Sequence, residues 1–529
     1  MSEQLTSDQG CNDNPASGQI EWPEFKVSSF ALRTAQEYGV IDLETSDAGD
    51  VYDLAPLKLW SSERQGNKRL LGLSWMNDRF VLSHFVGAVW LDEGKESIPL
   101  IVGSKLSDDL FSVDPVAMYI EAGNVIQSSL EVFGCEPNQN VIEGKELPRL
   151  TLLQVAVFLK ELMGFVRRHL RHGFIRVRNN LVGKVKGKIV VSENLRCNTV
   201  KGRDDRIFCQ YHVIDIDTIP NQILRAALTL CIKYLGSIKA DKSIEQLQEW
   251  ARICNNALAG VTDRRISSAD FQAVNYAGLM GRYKPIHRLA KMILRRLHTD
   301  GTGALDLRNA VTVPFWLDMN ALFEKYIEAK LAKEGVQYSA QLPISVKNGS
   351  FRFQCKPDFV IGDGFAVLDA KYKAILETRT DEDVVERGME NIKPNDVGNE
   401  NALSNVITRT IHSDYYQIIA YSLLVSQWKN SYPASIACLI VPMLSHHLDN
   451  NEILSDGLKI FSTENSNPVE EFKLWVKNQQ KCPFFELTLT VGENRESRET
   501  QTLFVVVLPC QLPTFVVDQG LQASLNKDA

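Results

Sequence analysis

The chain has 529 residues, with 58 Lys and Arg against 65 Asp and Glu, and a formal net charge of −7. That length predicts two to four domains, each able to bury its own core. Apolar residues at 44% and charged residues at 23% exclude disordered, fibrous and collagen-like classes. No run approaches 18 apolar residues and no basic start leads into an apolar stretch, so the sequence reads as neither membrane-spanning nor secreted. Ten cysteines without a C-x-x-C pair are expected to be reduced thiols in a cytoplasmic protein.

Residues 1–20 are polar without apolar periodicity and are expected to be disordered. From 21 to 135, short runs such as YGVIDLE and RFVLSHFVGAVWL predict a small β-rich domain. Asp114-Pro115 is a helix start, and the helix is expected to reach about Phe133. Residues 136–310 read as mainly helical, with helices over Thr151–His172, stopped by Gly173, and over 220–236, 243–259 and 268–298. A basic, glycine-spaced β-ribbon interrupts them, its strands expected around 174–191. Between Arg167 and Arg206 twelve Lys or Arg face three acids, an excess of nine positive charges that leaves −16 for the rest of the chain. Such asymmetry suits a local phosphate-binding surface.

Residues 311–515 form the last predicted domain. Asp318 is the expected N-cap of an amphipathic helix and Gly335 its stop. VQYSAQLPISV and SFRFQCKPDFVI then flank Asn348-Gly349 as one hairpin. Gly362-Asp363-Gly364 turns into FAVLDAKYK, apolar enough for a buried strand. An acidic inserted loop is expected at 377–402, then a helix from about 404 to 428, a strand at 436–442, two further strand-like runs, and a tail at 516–529. The fold class is a multidomain α/β (α+β) protein.

The sharpest chemistry-bearing feature is Pro357-Asp358, eleven residues before Asp369-Ala370-Lys371. A D/E-x-K triplet alone means little, because the chain has six; this one ends a buried strand beside a strand carrying a second Asp. Strand alternation puts Asp369 and Lys371 on one face, and the Gly-Asp-Gly turn brings Asp358 alongside. Two converging carboxylates, Asp358 and Asp369, suit Mg²⁺ as ligands, and Lys371 is then placed to orient water or offset anionic charge. The bland alternative for Asp369 and Lys371 is an ordinary strand-end ion pair.

In the basic stretch, Arg176, Arg178, Lys184, Lys186 and Lys188 are candidates for DNA-phosphate contacts, against the alternative of a solvated ribbon. A second basic group, Arg282, Lys284, Arg288, Lys291, Arg295 and Arg296, reads as either phosphate-facing or solvated. Gly183 to Lys188 misses the phosphate-loop spacing, so no NTPase site is recognisable. Neither histidine spacing for zinc nor a G-x-S-x-G nucleophile occurs.

The order PD(358), D(369)AK(371) resembles the PD-(D/E)xK nuclease superfamily. That resemblance implies an additional metal-directed, catalytic glutamate, matched by Glu324, although Glu328 lies one turn on and a surface salt-bridge role is equally natural for Glu324. It also implies a RecB-like Q-x-x-x-Y helix that meets DNA, matched by Gln417 and Tyr421, although Gln417 also suits a packing role between helix and sheet. Residues 167–189, 208–228, 322–331 and 357–373 together resemble the McrC family, the nuclease subunit of McrBC-type modification-dependent restriction systems. The resemblance implies a Mg²⁺-dependent DNA endonuclease working with an McrB-like AAA+ GTPase, the first domain lying where the family binds its motor. Double-strand cutting would need a dimer of nuclease domains. Two other readings stay open: a stand-alone RecB-like exonuclease, and a catalytically inactive DNA-binding adaptor.

Overall fold

The computed structural model describes residues 33–36, 40–41, 74–76, 79–81, 84–92, 97–104, 106, 111–138, 142–143, 148–297, 311–348, 351–373, 412–425, 434–444, 453–462, 467–479, 482, 484–491 and 499–516. The N-terminal 1–20 segment, the acidic 377–402 stretch and most of the 516–529 tail lie outside these. The fold is mixed α/β and clusters into two units, one of residues 1–29, 135–147 and 157–314, the other of 30–134, 148–156 and 315–529.

The first unit is mainly helical. Helices Ile219–Ser237, Lys242–Ala257 and Tyr283–Arg296 pack through Ile223, Leu247, Cys254, Leu289 and Ile293, all buried. Asp241 caps the second of them, accepting from the Ile244 N–H at 2.9 Å. The single 268–298 helix expected from periodicity is divided into a short helix Ser268–Gln272, a 3₁₀ turn Gly278–Arg282 and Tyr283–Arg296. Gly278, at φ +57°, lies outside helical geometry.

Strands Gly173–Val182 and Arg206–Asp215 pair antiparallel over ten residues, and Lys188–Ile189 adds a third strand against Gln210 and Cys209. The ribbon is thus closed by 206–215 rather than within 174–191, and Val191–Cys197, inside that basic stretch, is helical. Its foot is tied by a buried polar knot: Asn221 Nδ2 donates to Arg171 O at 2.8 Å and to Ile216 O at 2.7 Å, while Tyr283 OH donates to Asn221 Oδ1 at 2.8 Å.

The second unit holds two main sheets. One orders Arg33–Gln36, Ser97–Gly103, Phe85–Asp92, Phe315–Asp318 and Phe133–Cys135, so a strand directly before the Asp318-capped helix joins strands from far upstream. Asp114 caps as expected, accepting from Val116 N at 3.0 Å, but its helix stops at Glu121 rather than near Phe133. A 3₁₀ turn through Gly123 and a Ser128 capping box interrupt the segment.

The other sheet has six strands in the order Tyr338–Ala340, Phe359–Ile361, Ala366–Ala370, Ile436–Leu444, Glu499–Leu512 and Phe484–Val491. Its centre is parallel, and Val367, Leu439, Val505 and Val507 are fully buried against Ile418 of helix His412–Leu424. The single hairpin expected across Asn348-Gly349 divides in two. Ile344–Asn348 pairs with Phe351–Cys355 as a separate ribbon, while Tyr338–Ala340 crosses to Phe359–Ile361. Pro343 and Pro357, which lack the N–H a continuous ladder needs, sit at the points of divergence. Among the described residues no disulfide forms, eight of the nine cysteines are buried, and no helix is long and apolar enough to cross a membrane.

Candidate active site

The site is built where strands Phe359–Ile361 and Ala366–Ala370 end together. Phe359 pairs with Leu368, so Asp358 falls opposite Asp369 across the ladder. The turn between them needs Gly362 at φ +53° and Gly364 at φ +100°. Asp358 Oδ2 accepts from the Ala370 N–H at 2.8 Å, fixing one carboxylate against the neighbouring strand. Lys371 is held by its own N–H donating to Ile440 O at 2.9 Å, and its Nζ lies 2.7 Å from Asp369 Oδ2. That distance is a charge-assisted contact between the ammonium and a buried carboxylate. Asp369 is 2% exposed.

Glu324 comes from helix Met319–Lys333, which Asp318 caps by accepting from Ala321 N at 3.0 Å. It reaches Asp358 through Gln341, whose Nε2 donates to Glu324 Oε1 and, at 3.0 Å, to Asp358 Oδ1. Gln341 escaped sequence reasoning. It belongs to no motif, and its φ of +51° leaves no residue-type signature in a glutamine.

Burial raises all three carboxyls. For Asp358 the Glu324 charge adds to desolvation. Asp369 is pushed up to about 7 by burial and then by Asp358, against the opposing pull of Lys371. Burial alone would lower Lys371, but Asp369 holds its ammonium above the usual range. Burial and mutual repulsion thus favour the neutral form of the acidic pair, against the pull of the neighbouring ammonium. Among the described residues no three His, Cys, Asp or Glu side chains gather as a complete cation cage. The donor set, two buried carboxylates opposite each other on adjacent strands with Glu324 joined to one of them through Gln341, instead fits a hard cation taking one or two carboxylates and keeping waters.

Gln417 and Tyr421 share one face of helix His412–Leu424, and Gln417 Nε2 donates to Tyr421 OH at 2.7 Å. Both line a cleft of about 520 Å³ with Pro343, Ile344, Lys356 and Ala420. The carboxylates are not among the lining residues, but the charges of Asp369 and Asp358 act on the Tyr421 phenol. Lys373 is engaged by Asp414 at 2.6 Å.

The ribbon belongs to the other unit. Arg176, Arg178 and Lys188 share one face, since Arg178 and Lys188 flank Gln210 and Arg176 faces His212. Phe174 and Ile214, opposite each other on that face, are 76% and 64% exposed, an apolar component the charge count overlooked. Lys186 turns to the other face, 4.5 Å from the centre of the Tyr211 ring, and Lys184 is exposed after Gly183 at φ +62°. The second basic group is largely absorbed by the fold. Arg295 donates to Pro137 O at 2.5 Å, Lys291 to Asn138 Oδ1 at 2.7 Å, and Arg288 reaches Cys135 O and Glu136.

A buried carboxylate pair with a lysine at the end of a central parallel strand is the arrangement of a hydrolytic or cation-binding centre. Residues 126–388, about half the chain, match the McrBC family, described as "McrBC 5-methylcytosine restriction system component". The chain belongs to that family. Two solved structures from Thermococcus gammatolerans are similar at 18% identity. One is a refined half-complex from a tetradecameric assembly of McrB AAA+ hexamers with bound McrC, covering 86% of each chain at a TM-score of 0.32. The other is a cryo-EM structure of the McrBC complex, covering 59% of this chain and 90% of that one at a TM-score of 0.26. No curated protein matches.

Proposed function

We propose that the chain is the Mg²⁺-dependent DNA endonuclease subunit of an McrBC-like restriction system, acting in the cytoplasm with an AAA+ GTPase partner. The single observation that carries this reading is the meeting of Asp358, Asp369 and Lys371 at one strand end. That is the arrangement expected of a PD-(D/E)xK core, and the family match supports its setting in a restriction system. Asp358 and Asp369 would hold the ion, with Glu324 assisting from its helix. When bound, Mg²⁺ supplies charge neutralisation at the scissile phosphate and makes an attacking water more acidic. Lys371 orients that water and offsets charge developing on the phosphate. Gln417 and Tyr421 border the cleft where the strand would lie, and Arg176, Arg178, Lys184, Lys186 and Lys188 contact backbone phosphates. No phosphate loop is present in the sequence, so the motor acts in trans, and double-strand cutting would pair two nuclease domains.

The test is cleavage of a plasmid carrying 5-methylcytosine by the full chain with its genomic-neighbour GTPase. Cutting that needs both Mg²⁺ and GTP, and is lost in Asp369→Ala, is expected. Cutting of DNA ends alone without any partner would favour the exonuclease reading. Salt-dependent DNA binding with no cleavage at saturating partner would favour the adaptor.

A further inference from the structure

Gln341 is the one non-glycine residue at positive φ among the described residues, at +51°. Glycine would adopt that backbone conformation without steric penalty, so the glutamine side chain has to compensate for it. Its surroundings indicate how. The Gln341 N–H donates to Asp358 O at 2.8 Å, fixing the residue beside the PD turn. Its two amide hydrogens then go to two different carboxylates, Glu324 Oε1 and Asp358 Oδ1. Lysine or arginine in this place would form a lasting ion pair and compete with any incoming cation. An amide orients both carboxylates and leaves their net charge intact.

We propose that Gln341 is a positioning residue of the divalent-cation site, its neutral amide holding Glu324 and Asp358 side by side so that both present oxygens to the ion. The inference rests on the nuclease reading above. It assigns to the loop after Tyr338–Ala340 a role that no motif marks.

Mn²⁺ binding to the full chain, followed by electron paramagnetic resonance without DNA or partner, tests it. Gln341→Gly suits the backbone and removes the amide. It is expected to keep or raise the thermal midpoint while weakening Mn²⁺ binding roughly tenfold, the effect of losing charge-assisted hydrogen bonds. In cleavage, its half-saturating Mg²⁺ concentration should rise by more than its saturating rate falls. Gln341→Lys should fold and lose Mn²⁺ binding, because a fixed ammonium then lies between the two acids. Mn²⁺ binding by Gln341→Gly as tight as wild type, or tighter, overturns the proposal while leaving the nuclease reading intact. Wild type that binds no Mn²⁺, or Asp369→Asn that binds it like wild type, overturns both.

Discussion

Lys371 Nζ stands 2.7 Å from Asp369 Oδ2, on a carboxylate that is only 2% exposed. The carboxylate keeps further lone pairs beyond that contact, so it can still face a cation. Lys371→Met is therefore expected to lower Mg²⁺-dependent cleavage at least about a hundredfold, as the loss of one positioned electrostatic group does. Asp369→Asn should do the same and also abolish stabilisation by the ion. At tenfold Mg²⁺ over its dissociation constant, wild type should gain about 1.4 kcal/mol in urea unfolding and Asp369→Asn none. Equal gains in both proteins would place the ion elsewhere.

Gly364 closes the turn between the two site strands at φ +100°, and a β-carbon there would lie 2.8 Å from Val425 Cγ1. Gly364→Ala meets both backbone strain and a clash, and should cost about 1–3 kcal/mol. Adding Val425→Ala relieves only the clash, so the double variant should be more stable than the two single losses added together. Strict additivity in the unfolding cycle would mean that the contact does not matter.

His287 is 2% exposed, its Nδ1 accepting from Tyr276 OH at 2.9 Å and its Nε2–H donating to Pro220 O at 3.0 Å. Burial lowers it from 6.5 to about 4, despite the opposing carbonyl. The unfolded chain thus takes up the proton first. Stability is untouched above pH 7, declines as pH falls below 6.5, and has lost about 3 kcal/mol once pH is below 4. His287→Gln should flatten this slope relative to wild type in urea midpoints measured between pH 7 and 4. An unchanged slope would show the histidine to be charged or exposed.

On the ribbon, Arg176, Arg178 and Lys188 line one face and Lys186 lies over Tyr211 on the other. Arg176→Ala with Arg178→Ala should weaken DNA binding uniformly across sequences and lower the salt slope by about two. Lys186→Ala should change it by less. Equal effects from both faces, read by fluorescence anisotropy at several salt concentrations, would argue against one-sided docking.

Local chemistry was legible in the sequence, and long-range pairing was not. Asp358, Asp369 and Lys371 could be placed because strand alternation and a Gly-Asp-Gly turn are decided within fifteen residues. The caps Asp114 and Asp318 follow from the same local logic. Strand 315–318 joins strand 85–88 across more than two hundred residues, and no period in either segment announces the other. Arg288 and Arg295 share a helical face, as periodicity indicated, but the carbonyls of Cys135 and Pro137 that take them up come from elsewhere in the chain. Gln341 was invisible because its meaning lies in a backbone angle and two distant acids.

The ion pair between Lys373 and Asp414 joins the last described residue before 374–411 to the third residue after it. It is a drawstring between the two described ends. Packing of helix His412–Leu424 on strand Ala366–Ala370 already holds the two ends, and the entropy of closing a loop grows only slowly with its length. Replacing 374–411 with a Gly/Ser linker of about ten residues is therefore expected to leave Mn²⁺ binding at Asp358 and Asp369 within about twofold of wild type. Cutting the drawstring with Asp414→Ala in the shortened chain should then reveal how much that pair was holding.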